Sequence, residues 1–111
     1  DQSLDQWLAY VMDHYLSLAH VQSAGAGCVL PALGAEVARA DKPVKEVFAR
    51  ELQRGIDALA QRLGSEQLAT AVISQMVGAL LLARAMPTRQ AQQAVLDANK
   101  ATLKATLLAP H

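Results

Sequence analysis

Histidines are the first candidates for metal chemistry in this sequence, and their spacing argues against a shared site. His14 and His20 stand six residues apart, which is about 240° around a helix axis, so they cannot ligate one ion from one helix face. The Glu-x-x-His pairs that build di-iron sites in helical bundles do not occur. The sequence therefore predicts no metal site.

The glycine and serine motifs of common enzyme classes are incomplete or missing. Gly25-Ala26-Gly27 lacks the third glycine of the dinucleotide fingerprint, because Leu30 stands there, and it follows a predicted helix rather than a strand. No Gly-x-Ser-x-Gly sequence occurs. We therefore expect that the chain is not an enzyme and that it binds no cofactor.

Cys28 is the single cysteine, so neither an internal disulfide nor a cysteine-based zinc site can form. It stands at a predicted helix N-terminus, where the helix dipole favours the thiolate and would lower the thiol pKa. These features make Cys28 a candidate redox residue. A buried, inert thiol is the alternative interpretation.

The composition is typical of one globular domain spanning residues 1–111. Hydrophobic residues make up 52% of the chain and charged residues 18%, which suffices for one core and is too apolar for disorder. Ten basic and ten acidic residues give the chain zero net charge. This balance argues against a protein that binds nucleic acid through an overall positive charge. The start, DQSLDQW, has no basic region of a signal peptide, so we expect a cytoplasmic protein.

One apolar stretch, residues 68–83, is a possible membrane-spanning segment by composition. It is shorter than the roughly 20 residues that a bilayer requires, and it contains Ser74 and Gln75. We therefore predict a buried core helix and no membrane partner.

Helical spacing of apolar residues predicts an all-α fold, a single helical-bundle domain of about five helices without strands. Asp41, Ser65 and Thr88 are the predicted N-caps of the last three helices, and Gly64 is a predicted C-terminal stop. The predicted helices span residues 3–20, 28–40, 41–64, 65–85 and 88–108.

The last two predicted helices have more apolar and small-residue surface than a small helical bundle can bury. The fourth is apolar nearly all round, and the fifth repeats alanine at intervals of three and four residues, which lets another helix approach closely. They form either a tight bundle within the chain or a four-helix interface with a second copy. The predicted interface residues are Val72, Met76, Ala79, Ala83, Ala91, Ala94, Val95, Ala98, Ala101 and Thr102.

Two motifs resemble those of TetR-type transcriptional regulators. Residues 27–41, GCVLPALGAEVARAD, resemble the GC-x-x-x-A-L-x-x-E-V-A-x-x-D stretch of that family. Residues 76–85, MVGALLLARA, are similar to its V-G-A-L-x-L-A-R-A segment. A long amphipathic helix fills the interval as in the family, and the resemblance covers almost the whole chain.

The resemblance implies a TetR C-terminal-domain-like fold and a function in effector binding and dimerisation. The family's members are C2 homodimers whose last two helices form a four-helix bundle. A small molecule bound inside this domain releases operator DNA from an N-terminal helix-turn-helix domain. That DNA-binding domain would precede Asp1, so we assign DNA binding to no residue of this chain.

The effector pocket is predicted between the first, third and fourth helices, as a mostly apolar cavity for a small hydrophobic or aromatic ligand. The predicted lining is Trp7, Tyr10, Val11, His14, Tyr15, Phe48 and Gln75. Trp7 has an alternative role as a core residue, and Gln75 as a hydrogen-bonding group across the interface.

Two other functions stay open at this point. The chain is alternatively a helical protein-interaction or adaptor module without a ligand. It is alternatively a thiol-based sensor of oxidants or electrophiles that acts through Cys28.

We predict that these 111 residues do not bind operator DNA specifically, because their net charge is zero and no recognition helix is present. A gel shift in rising salt checks this prediction. Binding that resists salt and depends on DNA sequence would overturn the family resemblance.

Overall fold

The computed structural model describes residues 4–17 and 38–107, and all regular structure in these ranges is helical. Four helices are present there, and we number them α1 to α4. Their bounds are Leu4–Tyr15 for α1, Lys42–Leu63 for α2, Glu66–Arg84 for α3 and Arg89–Leu107 for α4. The all-α prediction is confirmed for the described part of the chain, where no strand occurs.

Of the predicted five-helix bundle, the described residues show the all-helical character and four of the helices. The predicted second helix, residues 28–40, lies outside the described residues up to position 37, and residues 38–40 form a turn and a bend rather than a helix. The first helix was expected to continue towards His20 but ends at Tyr15, where Leu16 and Ser17 bend the chain.

The starts of the long helices follow from local hydrogen bonds that their cap residues make. The Leu68 N–H donates to Ser65 Oγ at 3.1 Å, and the Ala91 N–H donates to Thr88 Oγ1 at 3.1 Å. Each bond satisfies one of the free N–H groups of a helix's first turn. Asp41 takes the predicted N-cap position in extended backbone, without a side-chain cap bond.

Gly64 turns the chain between α2 and α3. Its φ of 78° lies in the left-handed region, which a residue with a Cβ atom rarely adopts, and its N–H donates to the Ala60 carbonyl at 2.7 Å. The next residue, Ser65, already caps α3, so the two helices are joined by a minimal turn and pack side by side.

The core is centred on α3, which packs between α2 and α4, while α1 packs on α4. Met12 and Leu16 close the core from the α1 side, and both are almost fully buried. The other buried residues are Ile56 and Leu59 of α2, Ala69, Val72, Met76, Ala79, Leu80 and Ala83 of α3, and Leu96 and Leu103 of α4. Half of the buried side chains among the described residues therefore belong to α3.

We predict that Leu80→Ala lowers the free energy of unfolding by about 2–5 kcal/mol, because Leu80 is fully buried and its loss leaves a cavity. Val47→Ala is the control, since Val47 is 51% exposed, and it should change stability by about 0.5 kcal/mol or less. Urea unfolding measures both. Equal losses for the two variants would contradict this core.

Candidate functional site

The central helix α3 is more apolar than its burial explains. An 18-residue window of Glu66–Arg84 has a mean hydropathy of 1.4, but only 33% of it is buried. By length and composition it is the one membrane-span candidate among the described helices. Hydrophobic surface left in water is unfavourable, so the exposed part of this helix is a candidate contact surface.

The uncovered side of α3 carries no charge, since no charged residue stands between Glu66 and Arg84. Leu82 is 58% exposed and Leu81 38% exposed, which is unusual for large apolar side chains on one helix. Ser74 and Ala71 are exposed on the same side, one and two turns before Gly78. The exposed residues of α3 between Glu66 and Arg84 are therefore uncharged, and they combine two large apolar side chains with alanine and with polar residues such as Thr70 and Ser74.

Gly78 lies in the interior of α3 without a packing reason in the described structure. A Cβ atom at this position would have no heavy atom within 4 Å. Glycine in a helix interior is less favourable than alanine by about 1 kcal/mol. The chain thus gives up stability at a position where its own fold would accept a side chain.

The neighbouring side of α4 is lined by small residues. Ala94, Ala98, Ala101 and Thr102 are exposed, and Ala91 and Val95 are half-buried. All six were predicted interface residues, and all six keep surface that a partner could cover. We call the adjoining uncovered sides of α3 and α4 the hairpin face; it consists of Ala71, Ser74, Gln75, Gly78, Leu82, Ala91, Ala94, Val95, Ala98, Asn99, Ala101 and Thr102.

Four predicted interface residues of α3 lie instead in the core of the chain. Their exposed fractions are 6% or less, so a partner has no access to them in this conformation; they are Val72, Met76, Ala79 and Ala83. Because α3 is apolar nearly all round, its sequence did not indicate which side faces α2 and α4. On the side of α3 that adjoins α4, Ala71, Ser74 and Leu82 are exposed and Gly78 is half-buried.

A pair of half-buried amides joins α3 to α4 at the middle of the hairpin face. Gln75 Nε2 donates to Asn99 Oδ1 at 3.2 Å, and Asn99 Nδ2 donates to the Val95 carbonyl at 2.8 Å. Sequence reasoning singled out Gln75 but missed Asn99. The only signal for Asn99 was a polar residue between two alanine-rich turns.

Three of the predicted pocket residues, Trp7, Phe48 and Gln75, are far apart in the described structure. Trp7 is half-buried, and Arg62 Cζ lies 4.6 Å from the centroid of its ring. Phe48 is 14 residues earlier in α2 than Arg62, which at 1.5 Å per residue is about 21 Å along the helix. Gln75 bonds to Asn99 on another side of the fold.

The remaining predicted pocket and redox residues give no further support to a pocket. Tyr10 is 59% exposed. Val11, His14 and Tyr15 belong to α1, but their side chains lie outside what the structure describes, and Cys28 lies outside the described residues.

A shallow depression lies at the turn between α2 and α3, and it is polar rather than apolar. Asp57 and Glu66 line it, and Gln53 Nε2 donates to Asp57 Oδ1 at 2.8 Å and to Glu66 Oε1 at 3.1 Å. Within residues 4–17 and 38–107, no group of three His, Cys, Asp or Glu side chains is placed to hold a metal ion. This depression does not match the predicted effector cavity.

An ion-pair cluster fastens α1 to α4. Lys104 Nζ lies 2.9 Å from Asp13 Oδ1, and Lys100 Nζ lies 3.6 Å from the same oxygen. The hydrogen bond from Lys104 and the positive charges of both lysines lower the pKa of Asp13 below its ordinary value of 3.8, against a smaller opposing effect of burial.

Comparison with known proteins gives no relative for this chain. No protein-family model, no curated protein and no solved structure matches it. What can be said of its function therefore depends on its motifs and on the hairpin face.

We predict that Asp13→Asn lowers stability at pH 7 by about 0.2–1 kcal/mol, the range of exposed ion pairs. A folded-state pKa below 3.8 means that this contribution is complete above pH 3.8 and disappears as the pH falls through the folded pKa. Urea midpoints at pH 7 and about pH 2 measure the difference.

Asp97→Asn is the matched control, because Asp97 accepts a hydrogen bond from the neutral Gln93 amide. It should not reproduce the pH-dependent loss. An Asp13→Asn effect of the same size at both pH values would show that the ion pairs are not its cause.

Proposed function

We propose that this chain is the effector-binding and dimerisation domain of a TetR-type transcriptional repressor, and that it forms a C2 homodimer through the hairpin face. The observation that carries the proposal is the apolar helix α3, of which only 33% is buried within its own chain. The motif at residues 76–85 that resembles TetR regulators belongs to this same helix.

A protein is a better cover for α3 than a membrane. The helix is packed lengthwise between α2 and α4 and cannot enter a bilayer without them. The exposed side of α2 includes Lys45, Glu46 and Arg50, and α4 exposes Arg89 and Asp97. Burying such charges in hydrocarbon costs several kcal/mol each, whereas a protein partner leaves them in water.

A second copy of the chain suits this face because the face is neutral. In a two-fold interface each residue patch meets the same patch, so charges of one sign would repel across the axis. The hairpin face avoids this repulsion, because it holds only apolar, small and amide side chains. Each helix has 19 residues, about 28 Å in length, which is enough for an interface of standard size, about 1,200–2,000 Å².

The effector-binding half of the proposal rests on the resemblance of residues 27–41 and 76–85 to TetR regulators. The expected ligand is small and hydrophobic or aromatic. Operator DNA would be bound only through a separate helix-turn-helix domain. A thermal-shift screen of such ligands tests this half without reference to the dimer.

We predict that the wild-type chain is a dimer at micromolar concentration and that Ala98→Glu makes it a monomer. Ala98 is exposed in the single chain, so glutamate is tolerated there, but in the interface it would place an uncompensated charge in a buried seam. The expected cost is about 3–5 kcal/mol, or at least a hundredfold in the dimer dissociation constant.

Sedimentation equilibrium measures the dissociation constant, and circular dichroism verifies that the variant folds. Ala58→Glu, at an exposed alanine of α2 outside the hairpin face, is the matched control and should remain dimeric. A monomeric wild type would contradict the homodimer and favour an adaptor module with a different partner. A dimeric Ala98→Glu variant would show that another surface forms the interface.

A further inference from the structure

Gln75 occupies the midpoint of α3, with residues 66–74 before it and residues 76–84 after it in the helix. Its partner Asn99 lies one residue from the midpoint of α4, which runs over residues 89–107. The two amides are therefore the centre of the hairpin face. A two-fold axis through this centre would let both helices overlap along their full length, whereas an axis elsewhere would leave one end uncovered.

The hydrogen bonds within the chain use only part of the capacity of Gln75. Asn99 is oriented by its bond to the Val95 carbonyl, and its Oδ1 accepts one N–H of Gln75. The second N–H of Gln75 and its Oε1 have no hydrogen-bond partner among the described residues. An amide has two donor hydrogens and an acceptor oxygen, so Gln75 retains one donor and its acceptor.

We propose that Gln75 lies at the two-fold axis of the dimer and exchanges a pair of amide hydrogen bonds with Gln75 of the second copy. One free N–H and one free C=O on each side form a reciprocal pair under a two-fold rotation. Burial of these groups without partners would be unfavourable, so the amides favour the one register in which they meet. This inference rests on the homodimer proposed above.

Two neighbouring features fit this arrangement. Gly78 lies three residues after Gln75, on the same side of α3, and has open space where a side chain would be, so a second helix can come close there. Asn99 acts as a positioning residue, because its bond to Gln75 holds the side chain over the face. The apolar residues then supply most of the affinity, and the amides select the register, as single polar residues do in coiled coils.

The test uses two charged variants of the full chain, Gln75→Glu and Gln75→Lys. If Gln75 meets its own copy, each variant alone places like charges together at the axis and should weaken the dimer at least a hundredfold. A one-to-one mixture should form a heterodimer, because opposite charges then meet. Sedimentation equilibrium and native mass spectrometry measure the assemblies, and the heterodimer is identified by its mass.

The matched control is Gln61→Glu and Gln61→Lys, at an exposed glutamine of α2 outside the hairpin face, and both should remain dimeric alone. If the two Gln75 variants are monomeric separately and also when mixed, Gln75 is buried in the interface but does not meet its copy, and the inference is wrong. If each variant alone stays dimeric, Gln75 is outside the interface. If the wild type is monomeric, the homodimer fails as well.

A second measurement covers the case in which a charged variant fails to fold. Gln75→Cys in a Cys28→Ser background leaves one cysteine per chain, because Cys28 is the only natural one. A disulfide requires Cα atoms within about 4.4–6.8 Å, so rapid oxidation to a linked dimer is expected only if the two copies meet at this residue. Failure to link under conditions where the wild type is dimeric would overturn the inference.

Discussion

The need to cover α3 on every side is the constraint on which this structure depends. A helix without charge between Glu66 and Arg84 cannot be left in water along most of its length. Within the described chain α2 and α4 cover two of its sides, and the turns at Gly64 and at residues 85–88 are short enough to hold both against it. On the remaining side Leu81 and Leu82 stay exposed among small and polar residues, and this side is the surface through which the proposed dimer would form.

The helices and their limits were predictable because their signals are local. Ser65 and Thr88 bond to N–H groups three residues ahead, and Gly64 adopts a backbone conformation that few other residues accept. Such signals act within one turn of chain and do not depend on the tertiary fold. The end of α1 at Tyr15 has no comparable marker, and it was placed too far along the chain.

The orientation of α3 was not predictable, because a helix that is apolar all round has no hydrophobic side to read. Val72 and Met76 were predicted at a dimer interface and lie in the core of the chain, while Ala71 is exposed and Gly78 is half-buried. The separation of Trp7 and Phe48 was not predictable either, because neither residue carries a sequence signal for where α1 meets α2. The contact of Trp7 with Arg62 shows that Trp7 packs far along α2 from Phe48. The bonds of Asp13 to Lys100 and Lys104 likewise join the two ends of the chain, beyond the reach of any local pattern.

The empty space beside Gly78 separates two properties that are usually linked in small helical domains. Most interface residues also pack within their own chain, so a change that alters pairing also alters folding. At Gly78 a Cβ atom would have no heavy atom of the described residues within 4 Å, so a methyl group there would not disturb the packing of α3 against α2 and α4. In the proposed two-fold dimer this position occurs twice, so a larger side chain would weaken the homodimer of the variant more than its mixed dimer with the wild type. Gly78 is thus a position at which the strength of the proposed pairing can change while the fold stays the same.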